Sequence, residues 1–285
     1  MKIDISPRGL MLMQNYIRDE CGINIDDGKA YLIESRLSGM LRELNCTNYE
    51  QFYNLISTKG DRALTERIID AITTNETLWF RDKTPWEIME DIFLPKYVSM
   101  LKSGNKEKIR IWSSGCSTGQ EPYSIAMSIH NFLMQRGLKD KLLSRFEILA
   151  TDISGTVLEI AQNGKYDNIS IIRGLPAEYR DKYFTNEGRV WRLDDDIIDM
   201  VTFEKFNLQR SFILLGRFDM IFCRYVMIYF SSEFKRDLAS RFSEALDNEG
   251  VFFVGSSEVF ENYREYFDRH EYKNGIYYQK KGANL

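Results

Sequence analysis

Ile111-Trp112-Ser113-Ser114-Gly115-Cys116-Ser117-Thr118-Gly119-Gln120-Glu121-Pro122-Tyr123-Ser124 is the stretch on which the reading of this chain turns. Residues 108–113 have strand character, small residues and two glycines follow, and a helix is expected from Glu121 to Gln135. Strand, glycine-containing loop and helix in that order open a βαβ unit. In open α/β sheets ligands bind beyond the carboxyl ends of the strands, near the point where strand order reverses. Glycine at such a place lets the backbone approach a ligand closely. The spacing is not GxGxxG, which argues against a pyrophosphate cradle and a nicotinamide-dependent oxidoreductase.

Towards the C-terminus the alternation continues. Phe146–Thr151 is a second strand, ended by Asp152 and followed by a helix from about Gly155 to Gln162. An acid at the end of that strand can accept both hydroxyls of a ribose, or it can cap the following helix. Ser154 is available as the cap, so Asp152 is assigned to the ribose. Phe218–Cys223 reads as a buried strand, and Ser231 or Ser232 caps a helix running to about Leu246. Asn248-Glu249-Gly250 is expected to turn into a strand over Val251–Gly255, and Asn274-Gly275 signals a C-terminal hairpin. Residues 167–207 break the rhythm and read as a small antiparallel insertion, with Gly188 in its turn.

Towards the N-terminus there is no strand signal. Ser6-Pro7 starts a helix carrying Leu10, Met13 and Ile17 at helical spacing. A second runs from about Gly28 to Asn45 with Ile33, Leu37 and Leu41 on one face. Asn48 caps a third, and a fourth covers Asp61 to Thr73. The expected organisation is a helical domain over 1–80, a linker helix over 81–106, and an α/β domain over 107–285 with the β insertion at about 167–206.

Composition sets the boundaries of function. The 285 residues are 44% hydrophobic, enough for a sizeable core, and the net charge is −4, so there is no basic footprint for nucleic acid. No apolar run approaches the roughly 20 residues of a membrane span, and MKIDISPRGL lacks the apolar core of a secretory signal. Four dispersed cysteines and two histidines offer no metal-site spacing. A cytoplasmic protein without a metal is expected.

Two further segments carry polar and aromatic side chains at element ends. They are Thr73-Thr74-Asn75-Glu76-Thr77-Leu78-Trp79-Phe80-Arg81-Asp82 and Asp219-Met220-Ile221-Phe222-Cys223-Arg224-Tyr225-Val226-Met227-Ile228-Tyr229-Phe230. Taken singly, the first is a set of caps and turns and the second is core packing, with Tyr229 able to present a hydroxyl.

Taken together and in order, TTNETLWFRD, WSSGCSTGQEPYS, ATDIS and FCRYVMIYF resemble the chemotaxis receptor glutamate O-methyltransferases, the CheR family. The resemblance implies a Rossmann-like S-adenosylmethionine methyltransferase sheet with an antiparallel C-terminal hairpin, a β insertion and an all-helical N-terminal domain. It implies S-adenosylmethionine contacts at Asn75, Thr77, Arg81, Glu121, Asp152, Asn207, Leu208 and Arg224, with S-adenosylhomocysteine as product. It puts Arg81 and Tyr229 nearest the transferring methyl group. Where the family has Asn after the Cys-Arg pair this chain has Tyr225, and that contact is carried over to a larger side chain. The implied partners are the cytoplasmic helical domains of methyl-accepting chemotaxis receptors, met by a monomer. Lys29 and Arg36 share an edge of the second helix and would face receptor glutamates. Some family members use a glycine-rich turn in the β insertion to hold a receptor tail. The shorter Phe184-Thr185-Asn186-Glu187-Gly188-Arg189 here implies that no tail is needed. A module that binds the cofactor without turning it over is the alternative, and label transfer separates the two.

Overall fold

The computed structural model describes residues 3–258, 260 and 263–282. Four helices come first: α1 Pro7–Cys21, α2 Ala30–Glu43, α3 Tyr49–Lys59 and α4 Arg62–Ile72. Three are started by side-chain caps. Ser6 Oγ accepts from the Gly9 amide at 2.9 Å, Asn48 Oδ1 from Gln51 at 2.8 Å and Asp61 Oδ1 from Ala63 at 3.0 Å. α2 begins later than expected because Asp27–Lys29 form a 3-10 turn ahead of it. Met13, Ile17, Ile33, Leu37, Phe52 and Ile68, placed at helical spacing, close one apolar core between these helices.

A second helical stretch comprises α5 Thr84–Ile88, a π turn Met89–Phe93 and α6 Leu94–Ser103. Pro95 can make no N–H bond to the carbonyl four residues back, and the wider π turn lies just ahead of it. Trp86, Ile88, Met89, Phe93 and Tyr97 are buried in the same cluster as Ile111, Ile148 and Phe222 of the sheet.

The α/β part runs β1 Ile109–Ser114, α7 Gln120–Met134, α8 Lys139–Leu142, β2 Phe146–Asp152 and α9 Gly155–Asn163. There follow β3 Lys165–Asp167, α10 Asn168–Ile172, α11 Ala177–Tyr183, β4 Phe184–Asn186, β5 Val190–Leu193, α12 Asp195–Ile198 and β6 Val201–Lys205. β7 Phe218–Phe222, α13 Ser232–Ala245, β8 Leu246–Phe253, β9 Phe267–Tyr272 and β10 Gly275–Lys280 complete it. The main sheet has the order β6-β2-β1-β7-β8-β10-β9. Its first five strands are parallel, and β10 is antiparallel to both neighbours. The chain moves outward from β1 to β2 and β6 on one side, then returns to β7 on the other. The strand order therefore reverses between β1 and β7, and a ligand site belongs beyond Ser114 and Phe222.

Three details depart from the sequence reading. The insertion expected over about 167–206 is the sheet β3-β5-β4 with its helices, but β6 is not part of it. Val201 and Phe203 pack into the main core while Thr202 and Glu204 are exposed, the two-residue period of an edge strand, and β6 pairs with β2 from Ile148↔Val201 to Asp152↔Lys205. Asn248-Glu249-Gly250 does not end a loop. It lies inside β8, where the pairing with β7 shifts register between Phe218 and Met220. The hairpin turn is one residue earlier than expected, since Tyr272 pairs with Gly275 and the left-handed residues are Lys273 at φ 47 and Asn274 at φ 64. Gly275 is required for space instead. A Cβ there would lie 2.5 Å from Thr84 Cβ and 2.9 Å from Ile88 Cδ1, so the hairpin rests directly on α5.

Candidate active site

At the carboxyl ends of β1, β2 and β7 lies a cavity that opens to solvent. Its floor is the loop after β1. The amides of Gly115 and Cys116 both donate to the Thr151 carbonyl, at 2.8 and 2.9 Å, and curl the loop over the end of β2. Gly115 adopts φ 77 to make this turn. The Ser117 amide then donates to Asp152 Oδ2 at 2.8 Å, and the Ser154 amide to Asp152 Oδ1 at 3.0 Å. Ser154 Oγ caps α9 by accepting from Val157 at 3.4 Å. Asp152 is 8% exposed, and burial raises its carboxyl above the usual range against the lowering effect of those two amides. Each oxygen still has acceptor capacity left.

The second wall is the segment 73–82. Ser117 Oγ donates to the Asn75 carbonyl at 2.8 Å, joining this wall to the floor. Asn75, Thr77 and Arg81 line the cavity. Arg36 holds the segment from behind, its guanidinium donating to the carbonyls of Ile72 and Thr73 and to Thr74 Oγ1 at 2.9 Å. Arg36 was expected to face a partner. Arg36 makes these three bonds to its own chain, is partly exposed, and lies outside the cavity. Lys29 also lies outside the cavity, exposed on the helical domain 3.6 Å from Asp26.

The third wall joins β7 to both others. Arg224, 6% exposed, extends beneath the cavity; Nη1 meets Glu121 Oε2 at 3.0 Å and Nη2 meets Asp82 Oδ2 at 2.9 Å. Glu121 Oε1 accepts from Ser113 Oγ at 2.7 Å. Tyr225 sends its hydroxyl to the Asp82 carboxylate at 2.8 and 3.0 Å, and Arg81 stacks on its ring with 3.5 Å between guanidinium carbon and ring centre. Burial opposes ionisation of Asp82. The Arg224 charge, with the Ser256 amide and the Tyr225 hydroxyl, outweighs it and holds the carboxyl below its usual range. Tyr229 lines the mouth, and its carbonyl accepts from the Asn24 amide at 2.8 Å.

The remaining side is apolar and comes from both parts of the chain. Leu208 and Phe206 follow β6, and Cys21 and Ile23 belong to the end of α1 and the residues after it. Burial pushes the Cys21 thiol up to about 11, so it stays neutral as part of an apolar wall. Asn207 lines the cavity and also donates to the Glu20 carbonyl at 2.8 Å. Thus Asn75, Thr77, Arg81, Glu121, Asp152, Asn207, Leu208, Arg224, Tyr225 and Tyr229 come together around one space, while Lys29 and Arg36 do not. Sequence reasoning missed Cys21, Ile23 and Phe206, ordinary apolar residues with no local mark. It also missed Asp82 as a partner, although Asp82 closes the quoted TTNETLWFRD segment.

Comparison with known proteins now adds to this geometry. The family model "CheR methyltransferase, SAM binding domain" matches residues 75–276, and "CheR methyltransferase, all-alpha domain" matches residues 9–73. The chain belongs to the CheR methyltransferase family. A chemotaxis protein methyltransferase of Pseudomonas putida is 36% identical over 267 residues, covering 93% of this chain and 95% of the relative. Similar proteins of Pseudomonas aeruginosa and Vibrio parahaemolyticus are each 37% identical, covering 95% and 98% of this chain and 97% and 99% of theirs.

As a CheR-family methyltransferase with a domain of S-adenosylmethionine-binding type, the chain has a donor set suited to that cofactor. The buried Asp152 and the partly buried Glu121 suit hydroxyl and ammonium groups, and the apolar side suits an adenine ring. Among the described residues no helix is long and apolar enough to cross a membrane, and no group of three or more His, Cys, Asp or Glu side chains is arranged to hold a metal.

Proposed function

We propose that this CheR-family methyltransferase esterifies glutamate carboxylates on the cytoplasmic helical domains of methyl-accepting chemotaxis receptors, acting as a monomer in the cytoplasm without a docking tail. The observation that supports this most is that residues from six segments far apart in sequence line one cavity, in a chain whose relatives are named chemotaxis protein methyltransferases. S-adenosylmethionine, released as S-adenosylhomocysteine, supplies an electrophilic methyl group on a sulfonium.

The protein's own residues do the rest. Asp152 accepts the ribose hydroxyls with the lone pairs left free by Ser117 and Ser154. Glu121, anchored by Ser113 and Arg224, presents its charge to the ammonium group. Asn75 and Thr77 close one wall, and Asn207 and Leu208 with Ile23 would enclose the adenine. The substrate glutamate is already ionised near neutral pH, so no general base is required. Arg81 and Tyr229 orient it, and holding the reactants in line supplies about 7–11 kcal/mol. Opposite charges vanish together on transfer, so a cavity that excludes water favours the step.

Lys29, exposed in the 3-10 turn ahead of α2, is assigned to receptor recognition. Tail independence is supported by the tight β4–β5 turn, where the Glu187 amide donates to the Val190 carbonyl at 2.8 Å and Gly188 adopts φ 91. The decisive experiment incubates methyl-labelled cofactor with receptor cytoplasmic domains, with and without their tails and with a chelator present. Base-labile label on the receptor in every arm is expected. Cofactor binding without label transfer would overturn the enzymatic reading, and label only on tailed receptors would overturn tail independence.

A further inference from the structure

Tyr225 occupies backbone space that a bulky side chain rarely enters, at φ 60, and Asp82 and Phe80 do the same at φ 59 and φ 45. Residues held in such conformations persist where surrounding contacts over-determine them. Here the contacts are specific. The Tyr225 amide donates to Glu258 Oε2 at 2.6 Å, its hydroxyl donates to the Asp82 carboxylate, and its ring carries the Arg81 guanidinium at 3.5 Å. Arg81 lies between the two left-handed residues 80 and 82. One tyrosine therefore governs both halves of Arg81: the hydroxyl fixes the carboxylate of the next residue, and the ring fixes the plane of the guanidinium.

We infer that Tyr225 is a positioning residue for Arg81, acting through its ring and through Asp82, and that it does so in place of a direct contact to the cofactor. The inference rests on the reading of Arg81 as the group that orients the substrate carboxylate. Stacking occupies only the face of a guanidinium and leaves its N–H donors in the plane of the group. Of these, Nη1 donates to the Glu76 carbonyl at 3.3 Å. A planar fork held from its face can receive a glutamate carboxylate in the two-bond geometry that arginine favours. Had Arg81 been paired with an acid, that acid would compete with the substrate. The acid next to it, Asp82, is instead engaged by Arg224, by Tyr225 and by the Ser256 amide at 3.1 Å. An asparagine at position 225 offers no ring and a shorter reach.

The test compares Tyr225→Phe, which keeps the ring, with Tyr225→Asn and Tyr225→Leu, which remove it. Three quantities are read: S-adenosylmethionine affinity by calorimetry, kcat for label transfer to receptor domains, and the Arg81 side-chain proton resonances, which a ring beneath them shifts upfield. Cofactor affinity is expected to change little in all three variants. Transfer should fall about fivefold in the Phe variant, which loses the hydroxyl bond to Asp82, and by about a hundredfold in the ringless ones, the cost of a misplaced orienting group. The upfield Arg81 resonances should persist in wild type and Tyr225→Phe and move to ordinary positions in Tyr225→Asn. Weakened affinity with kcat preserved in Tyr225→Asn would restore a cofactor contact and overturn the inference. So would ordinary Arg81 resonances in wild type, a result that needs neither a folded ringless variant nor any transfer activity. If wild type labels no receptor while the Arg81 shift is present, the substrate reading fails and the positioning stands.

Discussion

The side-chain amide of Asn207 donates to the carbonyl of Glu20 at 2.8 Å, and two residues on Gln209 donates to the Arg18 carbonyl at 3.0 Å. The last carbonyls of a helix have no partner within it. Here the segment after β6 satisfies that of Glu20 and adds a second bond to that of Arg18, which already accepts from the Gly22 amide, and so ties the end of α1 to the loop that brings Leu208 to the same cavity as Cys21 and Ile23. Asn207→Ala should loosen the adenine side from both directions. S-adenosylmethionine affinity is expected to drop about tenfold, corresponding to the ~1 kcal/mol of one net hydrogen bond plus lost packing. Gln209→Ala, with an exposed side chain, should cost less. Calorimetry on both variants checks the order, and equal affinities would show that the tie does not shape the site.

Asp82 gives a pH dependence whose sign follows from its surroundings. Its carboxyl is held below the usual range, so it contributes stability that is complete above the unfolded-state pKa of about 4 and is lost as pH falls through the lower folded value. Asp82→Asn should be destabilised by roughly 2 kcal/mol near neutral pH, where charge-assisted bonds to Arg224 and Tyr225 are lost. The gap to wild type should close below about pH 4. Asp152 and Glu258, whose carboxyls burial raises, act in the opposite direction but are common to both proteins and cancel in the comparison. Urea unfolding at a series of pH values reads this, and a gap independent of pH would place the effect in packing.

What could be read in advance was local. Ser6, Asn48, Ser154 and Ser231 are caps because a short polar side chain can reach an amide three residues ahead. The strand, glycine loop and helix around Gly115 were legible for the same reason, and the family resemblance named most residues around the cavity. What could not be read was pairing across the chain. The Tyr225 hydroxyl meets an Asp82 that lies 143 positions away, and nothing in either neighbourhood announces it. Helical spacing tells which face Arg36 shares, and not that its guanidinium also donates to carbonyls at the end of another helix.

The hairpin offers a separate test of that distinction. Asn-Gly marked the turn correctly but for the wrong residue pair. Asn274 carries the left-handed backbone, so Asn274→Gly should leave stability near wild type and Asn274→Ala should cost about 1 kcal/mol. Gly275→Ala should cost more, about 1–3 kcal/mol, because its Cβ would be forced into Thr84 and Ile88. A neutral Gly275→Ala would show that the position has room for a side chain, and Asn274→Ala at wild-type stability would show that Asn274 is not left-handed. Thermal and urea unfolding of the three variants decide between these.

Lys29, in the 3-10 turn ahead of α2, and Arg36, within α2, are expected to fail in different assays. Arg36→Ala removes the donors that hold Ile72, Thr73 and Thr74, and the wall bearing Asn75 and Thr77 begins directly after them. Cofactor affinity should therefore fall in this variant, by about tenfold, with little dependence on salt. Lys29→Ala touches no part of the cavity. Its effect should be confined to the KM for receptor domains, rising modestly at low ionic strength and disappearing in high salt, since an exposed charge acts only within the screening length of about 10 Å at 0.1 M. Measuring cofactor Kd and receptor KM for both variants at two salt concentrations separates the roles. A salt-sensitive receptor KM in Arg36→Ala with unchanged cofactor affinity would return Arg36 to the recognition surface.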